Sequence, residues 1–171
     1  MDTLSLDLLR QLIRHMEWAD ANVWRTVLAS DTARADEELR RRLHHVHVVQ
    51  RAFLSVWRGE PVDRFAGETL DTPAMASWAR SYYPEAHVHL SAATDEALEA
   101  IVDLPWARYV ADNLGHEPGP ATLAETILQA CSHTTHHRGQ ILTALGALGV
   151  TSGNNDYIMW LWQGRPDPRW P

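Results

Sequence analysis

Lysine is absent from this chain of 171 residues, and all 15 of its basic residues are arginines. Without lysine the protein has no amine for a Schiff base, no lysine anchor for a pyridoxal cofactor and no P-loop of the GxxxxGK(S/T) kind. The only cysteine, Cys131, excludes an internal disulfide and any metal or iron–sulfur site that needs several thiolates. Composition alone therefore excludes several large classes of enzyme.

Two further absences bear on where the protein is found and what it binds. No apolar run approaches the roughly 18 residues that a membrane span requires. The N-terminal stretch lacks the basic start and continuous apolar block of a secretory signal. The net charge is −7, and the one basic run, Arg40 to Arg42, is typical of a solvated helix face rather than a phosphate-binding patch. We therefore expect a cytoplasmic protein that binds neither membranes nor nucleic acids.

Apolar residues recur at intervals of three and four along four long segments, which predicts four helices. The predicted segments are Leu4 to Ala29, Leu39 to Trp57, Asp71 to Val102 and Thr122 to Gly149. Asp36 is expected to cap the second helix, Pro84 to kink or interrupt the third, and Glu125 to complete a capping box at the start of the fourth.

The remaining segments are predicted to be irregular. Residues 104–120 contain three prolines and two glycines, which predicts an ordered but irregular connection between helices. A short extended segment is predicted within it at Ala107 to Asp112. The C-terminal tail is expected to add one short helix before its proline-rich end. Together these patterns predict a single all-α domain over residues 1–171, a four-helix bundle with a short C-terminal helix.

Three histidines, His133, His136 and His137, lie within five residues of the fourth predicted helix. The apolar stripe of that helix comprises Leu123, Ile127, Ala130, Ile141, Ala144, Leu145 and Leu148. By helical phase His137 lies within this stripe, His133 lies at its edge, and His136 lies further round toward solvent. His133 and His137 are four residues apart, so both imidazoles can point at one metal ion.

A third ligand must come from elsewhere in the chain. Cys131 lies on the opposite side of its helix from His133, whereas the second helix offers His44, His45 and His47. Of these, His45 lies nearest the apolar stripe, and His44 and His47 project toward the other side. Helical phase therefore nominates His45, His133 and His137, although this spacing also suits histidines with a purely structural role.

Four segments of the sequence resemble those of a known family. The block "HTTHHRGQI" at 133–141 resembles the HxxxHRGQ segment of the DinB/YfiT-like superfamily of metal-binding four-helix bundles. Three other segments are similar to the family's patterns in the same order along the chain. They are "WADAN" at 18–22, "LHHVHVVQRAFLSVWRGE" at 43–60 and "GVTSGNNDYIMWL" at 149–161. The resemblance implies a metal triad at His45, His133 and His137, and Gln50 stands where the family often has an acid.

The resemblance also implies a range of activities. Some members resemble metal-dependent S-transferases that join a low-molecular-weight thiol, such as bacillithiol or mycothiol, to an electrophile, and others a thiol-dependent isomerase. The expected cofactor is one divalent transition metal, zinc first, with nickel or iron as alternatives. Gln140 is predicted to lie near His133 and to orient a ligand or hold a water. Arg138 is predicted to meet a substrate carboxylate or to form a salt bridge.

Two other functions fit the same residues. A metal-dependent hydrolase would use the same triad, but no carboxylate lies within one helical turn of His133 or His137 to act as a base. A non-catalytic bundle that binds a metal, a small ligand or a partner has no feature of the sequence against it. The aromatic cluster of Trp160, Trp162 and Trp170 near the C-terminus further predicts a homodimer.

Overall fold

Four long helices form the body of the protein in the computed structural model, which describes residues 5–171. The helices, in chain order, are α1 (Leu6–Leu28), α2 (Asp31–Ala35), α3 (Glu37–Trp57), α4 (Thr72–Ala92), α5 (Asp95–Leu98), α6 (Ala111–Leu114), α7 (Leu123–Ala147) and α8 (Tyr157–Trp162). Strands β1 (Ile101–Val102) and β2 (Ala121–Thr122) form one antiparallel pair. The predicted all-α bundle with a short C-terminal helix is confirmed.

The helix starts follow the capping residues that the sequence contains. Asp36 accepts a hydrogen bond from the backbone N–H of Leu39 at 2.7 Å, and Asp71 caps α4 in the same way. Thr122 and Glu125 form the predicted capping box at the start of α7. These three starts are confirmed, whereas the predicted first residue of the first helix, Leu4, lies outside the described residues.

Several local predictions were wrong. The polar break before the second long helix contains the short helix α2, because Ser30 caps it by accepting from the N–H of Ala33. The third long helix ends at Ala92, and Thr94 caps a separate short helix, α5. Pro84 does not interrupt α4, because it lies on the exposed face, where water can satisfy the carbonyl that proline leaves unbonded.

The predicted extended piece at Ala107 to Asp112 was also wrong. This stretch forms a 3-10 turn at Ala107–Tyr109, and the start of α6 follows it. The extended backbone lies instead at both ends of the connection, where β1 pairs with β2, and Ile101 lies opposite Thr122. The strand pair closes the long loop at its base and brings the chain to the start of α7.

Helix α7 lies at the centre of the packing. It packs against α3 on one side and α1 on the other, and α4 packs against both α1 and α3. Apolar residues fill the interior in two large clusters, one around Leu9, Ile13 and Tyr82 and the other around Trp24, Leu43 and Met75, and a smaller cluster lies around Trp160. Within residues 5–171, no helix is both long enough and apolar enough to span a membrane.

Candidate metal centre

His45 of α3 meets His133 and His137 of α7 where the two helices pack against each other, at a solvent-facing position here called the groove. One ring nitrogen of each lies within 4.8 Å of one ring nitrogen of the other two. The ring centroids are 4.3 Å apart for His133 and His137, and 4.5 Å apart for His45 and His137. His45 is exposed and the other two side chains are half-buried, so the group has one side open to solvent. The structure thus brings together the three residues that helical phase nominated.

The chemistry of these three side chains fits a divalent transition ion. Imidazole is a common ligand of zinc, nickel and iron, and three imidazoles leave room for a further ligand. Nδ1 of His133 is buried and has no hydrogen-bond partner among the described residues. A buried polar atom without a partner is costly, so this atom is one that a bound ion or water would satisfy.

Burial and mutual repulsion keep two of the imidazoles uncharged. Burial, followed by repulsion from the like charges of His137 and His45, lowers the pKa of His133 to about 4. Burial, followed by the charge of His137, also lowers the pKa of His45 below its ordinary value. Metal binding requires unprotonated imidazole, so both side chains are in the binding form at neutral pH.

Gln140 contacts a different histidine from the one expected. The helical phase predicted a place near His133, but Nδ1–H of His137 donates to Oε1 of Gln140 at 2.8 Å. The amide nitrogen of Gln140 in turn donates to Nε2 of His136 at 3.2 Å. Because the amide oxygen can only accept, the proton of His137 resides on Nδ1, and its Nε2 keeps a free lone pair.

Arg138 faces the interior of the bundle. Its side chain is buried, and Nε lies 3.5 Å from Oδ1 of Asp20. This is the salt bridge that the sequence offered as the alternative to a substrate contact. The contact with a substrate carboxylate stays a prediction, which the burial of the guanidinium against Asp20 does not favour.

A buried polar network next to Arg138 was missed by sequence reasoning. Trp24 Nε1 donates to Nε2 of His47 at 2.9 Å, and Nδ1 of His47 donates to Oε1 of Gln50 at 2.9 Å. The amide nitrogen of Gln50 donates to Oδ2 of Asp20 at 2.9 Å. His47 was predicted to project away from the core, but only 2% of it is exposed. One signal was present, since Asp20 is a charged residue in the middle of the apolar stripe of α1.

The same network explains why the predicted apolar stripe of α7 was incomplete, although Leu123, Ile127, Ala130, Ile141 and Leu145 are buried as predicted. The buried side chains of α7, here called its buried line, include Thr134 and Arg138 between Ile127 and Ile141. A search for apolar periodicity passes over these two residues because they are polar. Both are buried because they have polar partners in the interior. His137 therefore lies beside the buried line rather than in it, at the edge of the groove.

The C-terminal tryptophans differ in their exposure. Trp160 is buried against Trp18, and the indole N–H of Trp170 donates to Oε1 of Glu17 at 3.2 Å. Trp162 is 74% exposed. Of the three residues behind the homodimer prediction, one is therefore buried, one half-buried and one exposed, and the homodimer stays a prediction.

A separate cleft of about 800 Å³ lies between α1 and the C-terminal segment. Trp18 and Arg25 line one wall, and Met159 and Arg169 line the other. It shares no residue with the histidine triad. The cleft and the histidine triad are therefore two separate features of the surface.

The model of the DinB family matches residues 5–167, which is nearly the whole chain. No curated protein and no solved structure matches the chain.

Proposed function

Because the chain belongs to the DinB family, we propose that it is a metal-dependent S-transferase that joins a low-molecular-weight thiol to an electrophile. His45, His133 and His137 would hold one divalent transition ion, zinc first, with nickel or iron as alternatives. The observation that carries the proposal is the convergence of three imidazoles, with no carboxylate or thiolate in the group, in a groove open to solvent.

Neutral ligands suit thiol activation. When bound, a divalent ion supplies its full positive charge and an open position, which favours the deprotonated form of a thiol near neutral pH. His45 and His133 contribute by remaining uncharged, and Gln140 contributes by fixing the proton of His137 on Nδ1. The exposed side of the groove, at His45, gives small molecules access.

The thiol must come from outside the protein. Cys131 is buried, and burial raises the pKa of its thiol to about 12. A thiol with that pKa is not a nucleophile at neutral pH. The chain has no other cysteine, so the sulfur that reacts belongs to a small-molecule cosubstrate.

The reaction balances without an oxidant or a reductant. With a haloaromatic electrophile, the sulfur forms a carbon–sulfur bond while the carbon–halogen bond breaks, and the halide leaves with the electron pair. The proton of the thiol passes to solvent. With an epoxide, the carbon–oxygen bond breaks instead, and the oxygen takes up a proton.

The test is a thiol-consumption assay on metal-free and metal-loaded protein. Bacillithiol, mycothiol, glutathione and coenzyme A are each offered with a haloaromatic or an epoxide, alongside an ester and an amide. We expect at least one thiol to be consumed faster by the loaded protein. We expect His45→Ala to abolish this activity and the neighbouring His44→Ala to retain it.

Two results would replace the proposal. Cleavage of the ester or amide without faster thiol consumption would identify a metal-dependent hydrolase. Tight metal binding with no reaction in any arm of the screen would identify a non-catalytic metal-binding bundle.

A further inference from the structure

Gln50 and Thr134 connect α3 to α7 inside the bundle, directly behind the triad. The amide nitrogen of Gln50 donates to Oγ1 of Thr134 at 3.2 Å, and both side chains are buried. Thr134 follows His133 in the chain, and Gln50 lies five residues after His45. The hydrogen bond therefore joins the two helices at the level where their histidines meet.

The distances within the triad have two different origins. His133 and His137 lie on the same helix, so their spacing is set by helix geometry. His45 lies on α3, so its distance from the other two depends on how closely α3 lies against α7 at the level of the triad. Apolar packing holds the two helices together, and a buried hydrogen bond at that level adds a directional restraint that is costly to leave unmade.

Asp20 holds Gln50 in the orientation that this contact requires. The carboxylate accepts from the amide nitrogen of Gln50 and from the hydroxyl of Tyr83. The amide oxygen of Gln50 accepts from Nδ1 of His47 at 2.9 Å. With its oxygen and nitrogen both engaged, the amide of Gln50 has a single orientation, and its contact with Thr134 is specific.

We propose that Gln50 and Thr134 are positioning residues that set the distance between His45 and the histidine pair of α7. The proposal rests on the proposed metal site, since it concerns the spacing of the ligands of that site. Neither residue belongs to the triad. Their hydrogen bond fixes the local distance between the two helices where the ligands lie, whereas the bond between Trp57 and Thr126 acts eight residues away along α7.

The test measures the affinity for Zn²⁺, by competition with a chromophoric chelator, and the visible absorption spectrum of the Co²⁺-loaded protein. Thr134→Val keeps the shape of the side chain and removes the hydroxyl, and Thr134→Ser restores a hydroxyl. Thr126→Val is the matched control. Thr126 is also a buried threonine on α7, and it accepts from Trp57 Nε1 of α3 at 3.0 Å, but it lies eight residues from Thr134.

We expect Thr134→Val to weaken Zn²⁺ binding about 3- to 10-fold, less than the loss of a group bonded directly to a ligand, and to shift the Co²⁺ spectrum. Thr134→Ser should restore both properties. Thr126→Val should lower the stability of the metal-free protein to a similar extent and leave both metal properties unchanged. Gln50→Met keeps the length of the side chain and removes the amide, so it should reproduce the effect of Thr134→Val. It takes the place of Thr134→Val in the test if that variant does not fold.

Wild-type affinity and spectrum in Thr134→Val or Gln50→Met would overturn the positioning role while leaving the metal site intact. An equal loss of affinity in Thr126→Val would overturn it too, because the effect would then be one of general stability. Failure of the wild type to bind Zn²⁺ or Co²⁺ would overturn the proposed function, and the positioning role with it.

Discussion

Thr134 and Arg138 face the interior of the bundle, whereas the residues just before them, His133 and His137, face the groove. The interior pair contacts other side chains of the bundle: Thr134 accepts a hydrogen bond from Gln50, and Arg138 forms a salt bridge with Asp20, although Nε and Nη2 of Arg138 make no hydrogen bond within residues 5–171. The groove pair lies close enough to His45 of α3 for the three side chains to hold one metal ion. Buried polar groups paired with each other stabilise a fold, and side chains that converge at the surface can bind a ligand. One helix therefore carries both kinds, one residue apart.

The largest expected effect is on the free energy of unfolding, and it comes from the buried pair of Asp20 and Arg138. Asp20→Asn removes the negative charge that faces buried Arg138, and we expect it to lower the free energy of unfolding by about 3 kcal/mol. Asp31→Asn is the control, because Asp31 pairs with Arg34 at the surface and should contribute less than about 1 kcal/mol. Urea denaturation of the metal-free proteins measures both. Equal small losses would show that the interior network does not support the fold.

Gln140 belongs to the groove side. Gln140→Leu removes the acceptor that fixes the proton of His137, and we expect it to weaken metal binding about tenfold with little change in stability. Gln129→Leu is the control, because Gln129 is exposed on the same helix. Chelator competition measures the affinities. If both variants bind like the wild type, the orientation of His137 does not depend on Gln140.

The free energy of unfolding, measured as a function of pH, tests the lowered pKa of His133 in the groove. The pKa of His133 is lowered to about 4 in the folded protein, against about 6.5 in the unfolded chain. Between these values the unfolded chain holds a proton that the folded protein does not, so stability rises with pH from about 4 to about 6.5. We expect this rise to be smaller in metal-free His133→Gln than in wild type. Identical slopes would contradict the assignment.

The smallest effect concerns the outer surface. Trp162 and Ile158 lie four residues apart on α8 and are 74% and 45% exposed. We expect the wild type to be a homodimer by light scattering at micromolar concentration, and Trp162→Ser to be a monomer with nearly unchanged stability. A wild-type monomer mass would exclude the dimer.

The histidine triad could be predicted from sequence because its members are identified by their positions on their own helices. The spacing of His133 and His137 and the helical phase of His45 need only helix geometry. The DinB resemblance selected the same residues. The long helices were predictable for the same reason, since apolar periodicity and capping residues specify them.

The buried network was not predictable, because it depends on which helices meet. Apolar periodicity treats a polar residue as exposed, so it placed His47 outside the core and passed over Thr134 and Arg138. Only the meeting of α1, α3 and α7 gives these residues their partners. The same limit applies to the strand pair of Ile101 and Thr122, which are 21 residues apart.

The central claim is that three specific histidines hold one metal ion, and metal content measured by mass spectrometry on purified protein tests it most directly. The account predicts about one divalent transition ion per chain in the wild type and in His136→Ala, and close to none in His137→Ala. His136 is the matched control, because it is adjacent to His137 on the same helix but is not part of the triad. Equal metal content in the two variants, or none in the wild type, would contradict the account.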